Sequence, residues 1–386
     1  MKKIVIASDS FKGSLSSQEV ADAFEKGVRD IIEECNIVKV PIADGGEGSV
    51  DALTTSLKGE YVYVEVNDPL GRRIKAKYGF IESKKTAIIE AAAACGLTLL
   101  NENERNPMLT STFGVGEIIK DAINRGSKKL IIGIGGTSTN DAGTGMLQAL
   151  GYNFYNIEGK PLNGNGKNLE NISYFTDIKA NKSLKEIEIL VACDVTNPLY
   201  GENGAAYIYA PQKGADKEMI KTLDNGLRNF ATIVNKYNKS DFSFIPGAGA
   251  AGGLGFTLKS LLNAKLVRGI DIILELIDFD SIIKDSDIIV TGEGKIDSQT
   301  LMGKTPSGIL NYGLRNNIPV IAICGKIDWS DNLKKSNFKE IIQINPDTIS
   351  FKDAINTTTA KNNIRLVAQE ITKKYIIGEY SELLKI

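Results

Sequence analysis

"DIIVTGEGKIDSQTLMGKTPSGI", residues 287–309, begins as an apolar strand and continues as a loop rich in glycine, lysine and acidic residues. Gly303–Thr305 repeats the Gly-Lys-Thr triplet of a P-loop, but a P-loop needs a glycine where Ser298 stands. Glu293 and Asp297 are also not needed in a loop that only wraps phosphate. The stretch therefore predicts a loop that serves an anionic ligand together with a cation.

Strand and helix patterns alternate at both ends of the chain, which is typical of a mostly parallel α/β protein. Ser16 and Glu19 form a capping box before a helix with one apolar face. Residues 59–100 instead predict antiparallel strands joined by turns. We therefore predict an α/β protein of two domains, with a mixed α/β domain inserted into an outer one. The predicted limits are 1–60 plus 285–386 for the outer domain and 61–284 for the insert.

The amino-acid composition limits the ligands, catalytic groups and metal sites that the chain can have. A formal net charge of −1 provides no general attraction for nucleic acid or an anionic membrane. The longest apolar runs are far too short to span a bilayer, and four cysteines without a CxxC pair indicate a reducing cytoplasm. The chain contains no histidine, which excludes Ser-His-Asp catalysis and histidine-based zinc sites. Any metal should therefore be a hard ion held by oxygen atoms, such as Mg²⁺.

Polar residues follow five of the predicted strands. Ligands of open parallel sheets bind at the carboxyl ends of strands, where loop amides and helix N-termini converge. Glycines, hydroxyls and lysines suit an anion, whereas neighbouring carboxylates would repel it unless a cation lies between them. A polyphosphate ligand with a bound Mg²⁺ ion removes this conflict, because the metal lies between the protein carboxylates and the phosphates. The five polar segments are 9–14, 44–48, 135–141, 194–197 and 292–304.

Simpler interpretations stay open for each segment. A single Asp or Ser after a strand commonly caps a helix, which is worth roughly 1 kcal/mol. "GAGAAGGLG" (247–255) matches G-x-G-x-x-G, but Pro246 interrupts the preceding strand, so close backbone packing competes with a dinucleotide site. A nicotinamide-dependent oxidoreductase that uses this loop therefore remains an alternative. A non-catalytic sensor of a small hydroxy acid is the other, and it would need no cluster of metal-binding acids.

Several stretches, in the same order along the chain, carry a family resemblance. They are "DSFKGSLSS" (9–17), "ADGGEGS" (43–49), "VNDPLGR" (66–72), "GIGGTSTNDAGTGMLQALG" (133–151), "DVTNPLYGENGAA" (194–206), "GAGAAGGLG" (247–255) and "TGEGKIDSQTLMGKTPSGI" (291–309). With them the sequence closely resembles the bacterial glycerate kinase family. The resemblance implies a flavodoxin-like parallel-sheet domain with a restriction-endonuclease-like insert. It also implies transfer of phosphate from ATP with Mg²⁺ to D-glycerate, giving 2-phosphoglycerate in preference to 3-phosphoglycerate.

The candidate site residues come from these loops. We assign catalytic roles to Lys12 and Lys304, which would neutralise anionic oxygens, and to Asp194, which would orient the attacking hydroxyl. Arg72 could clamp a carboxylate, although a solvated turn arginine explains it equally well. The expected partners are small molecules, with no nucleic acid or membrane, and the chain is expected to be a monomer or homodimer. The other predicted residues are Gly13, Ser14, Asn197 and Arg72 for substrate, Thr137, Ser138, Asn140, Gly292 and Lys295 for nucleotide, and Asp44, Glu47, Glu293 and Asp297 for magnesium.

Overall fold

The computed structural model describes residues 1–40, 42, 53–55, 57–178, 180, 184 and 186–378. They form the predicted mixed α/β protein and divide into two compact units, Met1–Asp44 with Ile270–Ile386 and Gly45–Gly269. The sequence-based limits, which end the first segment at residue 60 and resume it at residue 285, stay a prediction. Asp44 and Glu47 of the predicted magnesium set lie outside the described residues. None of the helices in this part of the chain has the length and apolar character needed to cross a membrane.

The secondary-structure elements are numbered here in chain order. The strands are β1 (Lys3–Ile6), β2 (Asn36–Lys39), β3 (Glu60–Asn67), β4 (Arg73–Ile81), β5 (Thr86–Glu90), β6 (Lys129–Gly133), β7 (Asn153–Tyr155), β8 (Pro161–Leu162), β9 (Tyr174–Thr176), β10 (Glu188–Ala192), β11 (Lys265–Val267), β12 (Ile288–Ile296), β13 (Val320–Ile327) and β14 (Glu340–Gln343). The α-helices include α1 (Ser17–Arg29), α2 (Ala92–Cys95), α3 (Phe113–Asn124), α4 (Thr144–Ala149), α5 (Ala205–Tyr209), α6 (Lys217–Asn238), α7 (Ala250–Leu262), α8 (Gly269–Leu276), α9 (Phe279–Ile283), α10 (Thr305–Arg315), α11 (Asp331–Lys334), α12 (Phe351–Ala354) and α13 (Thr357–Ile371).

The unit built from both chain ends contains a parallel five-stranded sheet with the order β14-β13-β12-β1-β2. Counted within this unit, the spatial order is 2-1-3-4-5, a common order of doubly wound sheets. Ile4, Val5 and Ile6 of β1 are fully buried, as expected for a strand covered on both faces. The order reverses between β1 and β12, so their carboxyl ends form the switch point where such sheets bind ligands.

Two helices from opposite ends of the sequence pack on each other in this unit. The predicted capping box is confirmed, because Glu19 N donates to Ser16 Oγ and Ser16 N donates to Glu19 Oε2 at the start of α1. A Cβ atom at Gly27 would lie 2.2 Å from the carbonyl oxygen of Arg365 in α13. The absence of a side chain at Gly27 therefore lets the two helix backbones approach closely.

The Gly45–Gly269 unit has a mixed six-stranded sheet with the order β11-β10-β6-β5-β4-β3. The antiparallel strands predicted within residues 59–100 are confirmed, since β3 pairs antiparallel with β4 and β4 with β5. In this sheet β5, β6, β10 and β11 pair in parallel, so β6 and β10 end at the same edge. A second, antiparallel sheet has the order β8-β7-β9.

The glycine-rich segment 247–255 packs against other loops of this unit. A Cβ atom would lie 2.2 Å from the carbonyl oxygen of Pro198 if placed on Gly249, and 2.2 Å from that of Thr139 if placed on Gly252. The backbone is left-handed at Gly252, with φ of +68°. Close backbone packing therefore explains these glycines, and the dinucleotide interpretation gains no support.

Replacing Gly252 with alanine should destabilise the protein more than the same change at Gly71. Both glycines have positive φ, but a Cβ atom on Gly71 would meet no atom within 4 Å. Alanine in the left-handed region costs about 1–2 kcal/mol, and overpacking at Gly252 should add roughly 1–3 kcal/mol. Urea unfolding followed by circular dichroism measures both losses. Equal losses for the two variants would contradict the packing explanation.

Candidate active site

Two polar loops meet at the switch point of the parallel sheet. Asp9 follows β1 and donates its backbone N–H to the carbonyl oxygen of Gly292, at 2.9 Å. The next turn has Gly13 at its tip with φ of +79°, and a Cβ atom on Gly294 would lie 3.4 Å from the backbone nitrogen of Lys12. The first polar segment is therefore a neighbour of residues 292–294 in β12.

The loop predicted from residue 292 begins only after Ile296, because Gly292–Ile296 extend β12 by pairing with β13. The segment 292–304 places a lysine between two acids. Lys304 Nζ lies 3.5 Å from Glu293 Oε2 and 3.9 Å from Asp297 Oδ1. Thr300 supports both acids, because its hydroxyl donates to Glu293 Oε1 at 2.5 Å and accepts from the backbone N–H of Asp297 at 3.0 Å. Predicted catalytic and metal-binding residues are thus brought together by contacts between the end of β12 and the loop that follows it.

The Glu293 side chain is largely shielded from solvent, since the residue is only 8% exposed. Burial raises its pKa above the ordinary value, and the negative charge of Asp9 acts in the same direction. The Thr300 hydroxyl and the Lys304 ammonium oppose this shift in the pKa of Glu293. A buried acid with a perturbed pKa at a switch point is a candidate functional group.

Lys295 and the helix that follows complete the positive side of this loop. Lys295 Nζ lies 3.2 Å from Asp328 Oδ2 and 3.6 Å from Asp297 Oδ2, and the side chain is half-exposed. Lys304 is the N-cap residue of α10, which begins at Thr305. The positive end of a helix dipole favours phosphate, although Pro306 of this helix has no N–H and the Ser307 and Gly308 amides donate to the Lys304 carbonyl oxygen.

Glu293 and Asp297 fit a magnesium ion that is held mainly by a nucleotide and water. Mg²⁺ prefers oxygen ligands and is usually bound through one or two carboxylates plus substrate phosphates. Both carboxylates lie within 4.0 Å of one cationic group, the Lys304 ammonium. Within the described ranges, no group of three or more Asp, Glu or Cys residues could hold a metal by itself. A closed metal site made by protein groups alone is therefore not seen in this part of the chain.

The loop after β6 buries all three of its predicted nucleotide-binding residues. Ser138 donates its backbone N–H and its hydroxyl to the carbonyl oxygen of Cys95, at 2.8 and 3.0 Å. Asn140 is fully buried, and neither polar atom of its side chain has a partner among the described groups. Asp141 accepts from the backbone and hydroxyl of Thr112 and from two further amides, which supports its interpretation as a cap. Of the three residues predicted for nucleotide here, Thr137 lines a cavity.

The predicted substrate residues of this unit are engaged in local contacts. Asn197 accepts from the Tyr209 hydroxyl at 2.6 Å and donates to the carbonyl oxygen of Asn203 at 2.9 Å. Arg72 donates to Asp68 Oδ2 at 2.5 Å and to Glu104 Oε1 at 2.6 Å. Both side chains therefore stabilise loops, and the turn explanation of Arg72 gains support.

Asp194 lies in a cavity of about 250 Å³ at the carboxyl ends of β6 and β10. It is exposed and accepts a hydrogen bond from the backbone N–H of Gly269, at 3.0 Å. The same cavity is lined by Lys213, which the sequence analysis missed. Lys213 stands alone in "YIYAPQKGA" (207–215), where no repeated polar pattern distinguishes it from a surface lysine. Its buried position arises from tertiary contacts only.

Comparisons with known proteins agree on one family. The model of the Glycerate kinase family matches residues 4–376. The chain is 42% identical over 377 residues to a glycerate kinase of Bacillus cereus, covering 97% of this chain and 98% of the relative. It is 44% identical over 325 residues to the glycerate 2-kinase of Escherichia coli, covering 84% and 85%. A crystal structure of a protein provisionally named glycerate kinase 2, from Salmonella typhimurium LT2, matches with a TM-score of 0.83 at 40% identity, covering 98% of this chain and 99% of that one.

Glu293→Gln should make the protein more stable at pH 7. The raised pKa of Glu293 means that the folded form binds this proton more tightly than the unfolded chain does. Stability is therefore lost as pH rises from about 4, the ordinary carboxyl pKa, through the folded pKa. Removing the carboxylate should raise the melting temperature at pH 7, and the gain should shrink toward pH 4.

Thermal unfolding followed by circular dichroism at pH 7 and pH 4 measures this difference. Glu102→Gln is the control, because Glu102 is exposed, and its effect should not change in this way with pH. A Glu293→Gln variant that melts at a lower temperature than the wild type at pH 7 would show that the contact with Lys304 outweighs the cost of burial.

Proposed function

The chain belongs to the glycerate kinase family, and we propose that it transfers the γ-phosphoryl group of ATP, with Mg²⁺, to D-glycerate. We propose 2-phosphoglycerate as the product, since the relative from Escherichia coli is named glycerate 2-kinase. The structural observation that supports the proposal most strongly is the loop at the switch point, where Lys304 lies between Glu293 and Asp297.

This loop has the charges that phosphoryl transfer requires. The transition state is loose and in line, so the protein mainly positions the reactants and stabilises negative charge. Lys304 would bind a phosphoryl oxygen at the N-terminus of α10, where the helix dipole favours an anion. Lys12 is proposed for a similar role, from the turn that packs on Gly294. Gly292 and Lys295 of β12 belong to the same proposed nucleotide-binding segment, 292–304.

Glu293 and Asp297 would hold magnesium, which when bound neutralises charge on the phosphates. Asp44 and Glu47 remain proposed ligands from the part of the chain that lies outside the described residues. In the structure, Lys304 occupies the position between the two carboxylates. We propose that Lys304 turns toward the nucleotide when the ion is bound, because both would otherwise compete for the same oxygens.

Asp194 is the proposed residue for orienting the attacking hydroxyl. In a chain without histidine, a carboxylate is the natural proton acceptor near an alcohol. Asp194 lines the cavity at the ends of β6 and β10, and the Gly269 amide donates to one of its oxygens. This hydrogen bond fixes the orientation of the carboxylate at the place where a substrate hydroxyl would bind.

The unit with strand order 2-1-3-4-5 is proposed to be the flavodoxin-like domain, because that order defines the flavodoxin type of doubly wound sheet. The Gly45–Gly269 unit is then proposed to be the restriction-endonuclease-like insert. We propose a cytoplasmic enzyme whose partners are its small-molecule substrates.

Phosphorus-31 NMR of a reaction with D-glycerate and Mg-ATP tests the proposed activity and its regiochemistry. We expect ADP to accumulate together with a monoester resonance coupled to the single proton on C2. A monoester coupled to the two protons on C3 would contradict the proposed product. If no monoester forms together with ADP, while an authentic glycerate kinase forms one under the same conditions, the proposed function is contradicted.

Lys304→Ala should lower kcat/KM by a factor that corresponds to a loss of about 2–4 kcal/mol of transition-state stabilisation. This is the loss expected when one preorganised electrostatic contact is removed. Lys361→Ala is a matched control, because the two lysines have side chains 41% and 42% exposed and each contacts a glutamate. Steady-state kinetics should show a twofold change at most for the control. Similar kinetics for both variants would remove Lys304 from the proposed mechanism.

A further inference from the structure

Lys213 is a buried cation in the cavity of the Gly45–Gly269 unit, and its charge is only partly compensated. The residue is 2% exposed, and its ammonium donates to Thr139 O at 2.7 Å and to Thr137 Oγ1 at 3.3 Å. Both acceptors are neutral. The charge of the buried Asp141 raises the pKa of Lys213, but no carboxylate of the described residues forms a salt bridge with this ammonium within 4.0 Å. An ammonium group in such a place costs several kcal/mol unless an anion accompanies it.

The free hydrogen-bonding capacity of Lys213 points to a ligand. An ammonium has three N–H donors, and two acceptors are present among the described groups. Burial lowers the pKa of Lys213 to about 8, so the side chain is still mainly protonated at pH 7. A third donor and a net charge are thus available on the wall of a cavity.

Gly135, on the wall of the same cavity, has no structural reason to be a glycine. A Cβ atom there would meet no atom within 4 Å, and its φ does not lie in the left-handed range. Gly249 and Gly252, by contrast, are fixed by contacts of 2.2 Å with other backbone segments. A glycine without strain or crowding that lines a cavity is explained by close approach of a ligand to the backbone.

The size and charges of the cavity select the ligand class. At about 250 Å³ it is smaller than the usual pockets for drug-sized molecules, roughly 300–1,000 Å³, and too small to enclose a nucleotide. A three-carbon hydroxy acid fits this volume. Lys213 offers a cation for a carboxylate, and Asp194 offers an acceptor for a hydroxyl. Ala192 and Ala250 add apolar surface for the carbon chain.

We propose that this cavity is the hydroxy-acid pocket and that Lys213 binds the carboxylate of the substrate while Asp194 accepts a hydrogen bond from its hydroxyl. The identity of the acid as D-glycerate rests on the proposed function. Lys213 then performs the carboxylate recognition that the sequence suggests for Arg72, whose guanidinium is engaged by Asp68 and Glu104.

Two variants test the pocket. Lys213→Met keeps the length of the side chain and removes its charge, and should raise the Kd and KM for D-glycerate tenfold to a hundredfold, as expected for a charged hydrogen bond. Gly135→Val should fold normally, since its Cβ atom meets no neighbour, and should weaken D-glycerate binding at least tenfold by filling the cavity. The KM for ATP should change less than threefold in both. Lys167→Met, at an exposed position, is the control.

Calorimetry with D-glycerate and steady-state kinetics of the full chain separate the outcomes. Unchanged D-glycerate affinity in folded Gly135→Val protein would overturn the proposal, even if Lys213→Met failed to fold. A rise in KM confined to ATP would overturn it in favour of a phosphate site. Turnover with unchanged affinity in both variants would refute the pocket and leave the proposed function standing. If D-glycerate binds in a way that depends on Lys213 but is not phosphorylated, the pocket is supported and the proposed function is refuted. If D-glycerate does not bind to the wild-type protein, the pocket is refuted.

Discussion

Parallel pairing of β1 with β12 is the constraint on which the first unit depends. It joins the beginning of the chain to a segment that follows the whole second unit, and it creates the reversal of strand order in the sheet. Because the two strands run in the same direction, the loops that follow them leave from the same edge. The hydrogen bond from Asp9 to Gly292 of β12 continues this pairing beyond the end of β1. The turn that carries Lys12 is thereby held beside Gly294, near the end of β12 and before the loop that leads to Lys304.

Besides Asp9 and Asp141, which are also buried there, the first unit buries the Glu293 carboxylate and the second unit buries the Lys213 ammonium near the carboxyl ends of their parallel strands. Neither arrangement favours stability, because desolvation penalises the charged form of both groups. Such costs are typical of sites that compensate the charge with a ligand. An acid suits a metal ion bound to phosphates, and a lysine suits a carboxylate, so the two charges match the two substrates proposed for this family member.

The glycine-rich segments that look alike in the sequence perform different tasks. Gly13 permits a left-handed turn, and Gly252 combines a left-handed backbone with a contact too close for any side chain. Gly135 meets neither condition and faces a cavity. A motif match such as the one at 247–255 therefore does not separate packing from ligand binding, since both require the absence of a Cβ atom.

The sequence by itself determined the α/β class, the antiparallel strands after residue 59, the capping box at Ser16, and the polar segments that follow β1, β6 and β10. These features follow from local hydrophobic patterns and local hydrogen bonds. Which polar side chains remain available in those loops was decided only by the tertiary structure. Ser138 is directed to Cys95 and Arg72 to Glu104, both distant in sequence, while Lys213 is buried beside Thr139. The direction of a loop side chain depends on partners that only folding brings near, and no local pattern records it.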